Sequence, residues 1–161
     1  MYVNGNRVTG LMHLITWDEI NRLRVNREWE IKKMSMEQTV LVNFKHHKKP
    51  VEGKFDFLVE TPKKVIGFEV LTRPSKGKIQ RKMSYAEEVD QFVFVLPDTA
   101  MEKYQKHAKV PKRRIQGNFL PPLFGNPNLF VWLVDLNEKT IVKKVPFAHI
   151  FNVEKEAKRR R

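Results

Sequence analysis

The clearest hydrophobic pattern lies in the middle of the chain. Residues 54–60 and 65–72 are short runs of β-branched and aromatic residues separated by Thr61-Pro62-Lys63-Lys64, which predicts two strands joined by a turn. Pro74-Ser75 then opens a segment with Ile79, Met83, Ala86 and Val89 at helical spacing, a helix reaching about Asp90. Phe92-Val93-Phe94-Val95-Leu96 is a continuous apolar run closed by Pro97-Asp98, the pattern of a strand covered on both faces. A short helix is expected from Thr99 to about Lys109. Residues 129–136 and 140–145 flank Asn137-Glu138-Lys139 as a second hairpin. Toward the N-terminus, Asn4-Gly5 between β-formers suggests a small hairpin. Thr16 with Glu19 three residues on reads as a capping box that starts a helix from Trp17 to about Val25. Trp29 and Ile31 alternate with charged residues as in a half-buried strand, and residues 39–44 form another. These elements predict an α/β (α+β) domain with a mixed, mainly antiparallel central sheet flanked by helices.

Composition narrows the class. With 161 residues the chain suits one domain, and its apolar fraction of 41% is enough for a packed core. The longest apolar stretches, such as 129–134, are far too short to cross a bilayer, and no secretory leader pattern is evident. The chain has no cysteine, which removes disulfides, thiolate metal sites and thiol nucleophiles. A cysteine-free, compact, basic chain is compatible with the cytoplasm of an archaeal cell or of a virus-infected host.

Charge changes the picture most. Thirty-one Lys and Arg against 18 Asp and Glu give a net +13. The excess is +4 over residues 1–98 and +9 over residues 99–161. Such an imbalance calls for an anionic partner, and nucleic acid fits it better than an acidic membrane or protein.

The hairpin Phe55-Asp56-Phe57-Leu58-Val59 and Val65-Ile66-Gly67-Phe68-Glu69-Val70-Leu71, followed by Lys78-Ile79-Gln80-Arg81-Lys82 and the apolar run 92–96, resembles the PD-(D/E)XK nuclease superfamily, which includes archaeal Holliday-junction resolvases and type II restriction endonucleases. The resemblance spans about residues 10–100. It leaves residues 101–152 as a basic loop plus hairpin and 153–161 as a basic tail.

It implies a restriction-endonuclease-like core and a Mg²⁺- or Mn²⁺-dependent deoxyribonuclease acting on DNA, as a possible homodimer. It also implies that Asp56, Glu69 and the Val70 carbonyl hold the metal. Carboxylates on adjoining antiparallel strands suit one hard, oxygen-preferring cation. The family's lysine, two residues after the acid, is Leu71 here. Arg73, Lys78 or Lys82 would have to reach the site from the next element, with Glu87 or Glu88 as a further acid if either turns inward. Glu37 is a weaker candidate for an extra acid from the N-terminal region. Asp56 and Glu69 also admit the plainer reading of solvent-facing hairpin positions. The alternatives to a nuclease are a degenerate DNA-binding protein on the same scaffold and an RNA-binding or virion-packaging protein.

For nucleic-acid contact the candidates are Lys45, Lys48, Lys49, Arg73, Lys76, Arg81, Lys112, Arg113 and Arg114, with His46 and His47 beside the first group. Loops of that composition, with Phe119 and Phe124 downstream of the last cluster, suit backbone contact and base stacking. His13, His107 and His149 carry no spacing signal.

Overall fold

The computed structural model describes residues 2–42, 49, 51–74, 76–99 and 127–147. The helix expected at 99–109, the cluster Lys112-Arg113-Arg114, the tail, and Lys45, His46, His47, Lys48, His107 and His149 lie outside the described residues.

Helix α1 (Tyr2–Val25) opens the chain, and six strands follow. They are β1 (Lys33–Val42), β2 (Val51–Glu60), β3 (Val65–Val70), β4 (Gln91–Pro97), β5 (Leu129–Asp135) and β6 (Thr140–Pro146). Between β3 and β4 come helix α2 (Lys76–Lys82) and a 3₁₀ helix (Met83–Glu88). The strands form one sheet in chain order, antiparallel at β1–β2, β2–β3 and β5–β6 and parallel at β3–β4 and β4–β5. The mixed sheet flanked by helices is the architecture expected from the sequence.

Each face of the sheet carries its own apolar layer. Met12, Ile15, Ile20 and Leu23 of α1 cover Phe57, Val59, Ile66, Phe68, Val70, Val93, Val95 and Trp132. On the other face Ile79 and Tyr85 cover Phe55, Leu71, Phe92, Phe94, Leu96 and Leu129. β4 supplies alternate residues to both layers, which is why its sequence is an unbroken apolar run. Lys144 of β6 ties the first layer at its edge, donating to Glu19 Oε1 of α1 at 2.9 Å and lying 4.6 Å from the centre of the Trp132 ring.

The N-terminal third departs from expectation. Asn4-Gly5 is helical, not a hairpin, and Thr16 lies in mid-helix, where its Oγ1 donates to the Met12 carbonyl at 2.7 Å instead of capping a start. Asn, Gly and β-branched residues are weak helix formers, but burial of one face outweighs propensity in a packed helix. The expected strand through Trp29 and Ile31 is also absent. Glu28 N–H donates to the Leu23 carbonyl and Arg27 N–H to the Arg24 carbonyl, with Arg27 at φ 59. This is a Schellman closure, and it sends residues 26–32 into a bend from which Trp29 and Ile31 pack onto the α1 layer. The single helix expected after Pro74 divides at Lys82, its second half winding as 3₁₀.

Gly67 of β3 lies against the Phe55 ring of β2. A Cβ added there would stand 2.7 Å from Cε1 of Phe55, and that ring is fully buried. Gly67→Ala should therefore destabilise the fold by ~1–3 kcal/mol through overpacking. Urea unfolding measures the effect, and Phe55→Leu in the same chain should recover part of it.

Candidate functional site

The β2–β3 ladder runs from Glu60↔Val65 to Phe57↔Phe68. One further step of that register would set Asp56 opposite Glu69, but here the ladder stops. Leu71 N–H donates to the Val95 carbonyl on the β4 side, so the N–H of Val70 faces β2. The Asp56 side chain meets it there, Oδ2 accepting from Val70 N–H at 2.7 Å. A carboxylate thus takes the place of a backbone carbonyl in the sheet.

The facing of β2 slips at the same point. Phe55 belongs to the layer under α2, as does the partly buried Leu58, whereas Phe57 and Val59 belong to the layer under α1. Across on β1, Glu37 sits between the pairs Met36↔Phe57 and Gln38↔Phe55 with φ 51. The register is the same on either side, so the interruption is confined to Glu37 and Asp56.

Four titratable groups meet at this fork. His13 of α1 donates from Nδ1 to the Thr9 carbonyl at 2.8 Å, which directs Nε2 toward Asp56 Oδ1 at 3.3 Å. Glu69 is buried, and Lys82 Nζ lies 2.9 Å from its Oε1. Its other oxygen, Oε2, is buried without a hydrogen-bond partner among the described residues.

Burial and the neighbouring Asp56 charge push the Glu69 carboxyl up to about 7, against the opposing pull of Lys82 and the Asp56 backbone. For His13 the hydrogen bond to Asp56 dominates and raises the imidazole above its usual 6.5, although burial works the other way. Burial also opposes the Lys82 ammonium, but the pairing with Glu69 outweighs it and the net shift is upward. Lys82 therefore stays charged through neutral pH while Glu69 gains or loses its proton there.

Among the three cations considered for the missing motif lysine, Lys82 is the one beside Glu69. Lys78, one turn earlier, donates to the Arg73 carbonyl at 3.1 Å, and Arg73 itself is exposed. Glu87 and Glu88 are exposed on the 3₁₀ helix, so neither turns inward, and Glu37 is exposed on β1. Lys49 and Arg81 are exposed; the Lys76 side chain falls outside the described set. Val70 is buried, its N–H committed to Asp56.

His13 had no sequence signal because the helix was expected to begin only at Trp17. A helix drawn through residue 12 would have set it beside the apolar stripe of Met12, Ile15 and Ile20.

Among the described residues no three His, Asp or Glu side chains are preassembled as a metal cage, and no helix is long and apolar enough to cross a membrane. Compared with family models, curated proteins and solved structures, the chain matches none.

The raised carboxyl has a stability consequence of definite sign. A group whose pKa is higher in the folded state stabilises the fold below its unfolded pKa and loses that contribution as pH climbs through the folded value. With chelator present, Glu69 should therefore weaken the fold between about pH 4.5 and 7, by an amount on the order of 3 kcal/mol. Glu69→Gln should match wild type near pH 4.5 and be the more stable protein at pH 8. Denaturant unfolding at the two pH values checks this, and a gap that is constant with pH would contradict it.

Proposed function

We propose that the chain is a divalent-metal-dependent deoxyribonuclease that hydrolyses DNA phosphodiester bonds. The observation that carries this reading is Glu69 Oε2, a buried carboxylate oxygen with no hydrogen-bond partner among the described residues, beside a second carboxylate. Leaving a buried charged oxygen unsatisfied is expensive, and a hard cation is the partner best suited to it.

Asp56, Glu69 and the Val70 carbonyl are the groups that would hold such a cation. Two carboxylates without a complete protein cage fit Mg²⁺ or Mn²⁺, since Mg²⁺ habitually keeps water and takes substrate phosphate oxygens as its remaining ligands. The cation supplies charge neutralisation at the scissile phosphate and a more acidic attacking water.

The protein's own groups are arranged around that task. Val70 N–H fixes one oxygen of Asp56 and His13 the other, so the carboxylate cannot rotate away. Lys82 holds Oε1 of Glu69, leaving the buried Oε2 as the oxygen that would take the cation. Lys82, paired with Glu69, is the cation that would stand in for the missing motif lysine, as the fixed positive charge for an oxyanion developing on phosphorus. That cation is what distinguishes this reading from a degenerate DNA-binding scaffold. The net +13 of the chain supports an anionic polymer as substrate.

The test is cleavage of linear duplex DNA with Mg²⁺ or Mn²⁺, with single-stranded DNA and RNA assayed in parallel. Wild type should cut and chelator should stop it. Asp56→Ala and Glu69→Ala should abolish cutting while DNA binding persists, and Lys82→Ala should slow it by ~10²–10³. Mn²⁺ should raise the Tm of wild type but not of Glu69→Ala, because a ligand that binds only the folded state stabilises it. Cleavage that survives Glu69→Ala would overturn the reading. Tight binding without cleavage in either metal would make this a DNA-binding protein instead.

Binding carries its own expectation. If about six to ten cations meet phosphates, affinity should fall ~10³ or more between about 50 and 200 mM salt. A flat response in a filter-binding or anisotropy titration would remove nucleic acid as the partner.

A further inference from the structure

The Lys82 side chain leaves the end of α2 and must hold its ammonium beside Glu69 across a partly open space. Lysine has a flexible four-carbon stem and a strongly hydrated head, so one ion pair does not by itself define its position. A second group meets it. The Tyr85 ring, three residues on in the 3₁₀ helix, lies with its centre 4.7 Å from Lys82 Nζ.

The ring itself is firmly seated. Tyr85 is buried, with Phe55 packed edge-on at 5.5 Å between ring centres. On another side it rests on the backbone of β2 at Gly53, where an added Cβ would overlap the ring atoms. Gly53 is therefore what lets the aromatic ring approach the strand.

From this geometry we infer that Tyr85 is a positioning residue for Lys82, its ring face and the Glu69 carboxylate together fixing the ammonium at the site. The inference rests on the proposed role of Lys82 as the cation that meets charge developing on phosphate. A ring face attracts a cation through its quadrupole, and the attraction strengthens when water is partly excluded. The 3₁₀ winding after Lys82 has a purpose in this account. With three residues per turn it stacks residues 82 and 85 on one line, which brings ammonium and ring together.

The experiment grades the ring without changing its shape. Phenylalanine and its increasingly fluorinated analogues, placed at position 85 of the full chain, drain negative charge from the ring face while keeping the packing. Tyr85→Phe is the reference against which the fluorinated rings are compared. Fluorination should lower kcat progressively, to a total of roughly fivefold to thirtyfold, with KM unchanged, since the lost interaction serves the transition state. In a Lys82→Ala background the same series should have no effect.

A second readout does not need activity. In lysine-labelled protein the Lys82 εCH₂ resonance should lie upfield, under the ring current, and return to the ordinary lysine position in Tyr85→Leu. Gly53→Ala, which displaces the ring without removing it, should produce the same return. If Lys82→Ala cuts DNA as well as wild type, the role given to Lys82 fails and the inference falls with it. If Lys82→Ala is crippled but the fluorinated series is flat, Tyr85 is only core packing while the nuclease reading stands. An εCH₂ resonance already at the ordinary position in wild type overturns the positioning outright.

Discussion

The hydrogen bond from Val70 N–H to the Asp56 carboxylate is the interaction on which the rest of the site depends. A sheet normally satisfies each interior N–H with a carbonyl of the neighbouring strand. Here β2 and β3 part after Phe57 and Phe68, and a side chain closes the gap. That substitution does two things at once. It brings a carboxylate to the sheet where the Glu69 side chain begins, and it frees the end of the hairpin to carry groups outside the ladder. The slip in facing along β2, with Phe55 on one layer and Phe57 on the other, is the structural cost of the arrangement.

The electrostatics follow from the fork. Two carboxylates this close, one of them buried, resist being ionised together. The fold answers with one cation, Lys82, and one titratable imidazole, His13, approaching from α2 and α1 respectively. Their charges are insufficient to hold Glu69 in the ordinary carboxylate range, which is why its proton is exchanged near neutrality. A site with this unresolved negative charge invites a further cation, and the proposed metal dependence is the chemical expression of that.

Both apolar layers serve to aim these groups. One face of α1 is buried from Met12 to Leu23, and His13 lies one residue from that face, over Asp56 and Phe57 of β2. On the opposite side Ile79 anchors α2 and Tyr85 anchors the 3₁₀ helix, with Lys82 between them. The two helical elements meet the sheet from opposite faces at its fork, so the site lies between layers instead of on either surface.

Much of the sheet was legible in the sequence because strand signals are local. The period of 55–59 and 66–71, the unbroken apolar run 92–96 and the hairpin 129–145 each depend only on neighbouring residues and on whether one or both faces are covered. The paired carboxylates stood out for the same reason, as charges inside apolar strands. The first helix was not legible, since Asn4, Gly5 and Gly10 argue against it locally, while the contacts of Met12, Ile15, Ile20 and Leu23 with the sheet are made with residues distant in sequence. With the helix start misplaced, His13 had no partner in view. The choice among Arg73, Lys78 and Lys82 was equally closed to sequence, which supplies five cations between residues 73 and 82. The winding of α2 into 3₁₀ and the burial of Ile79 and Tyr85 decided it, because a side chain's reach depends on the packing that fixes its backbone.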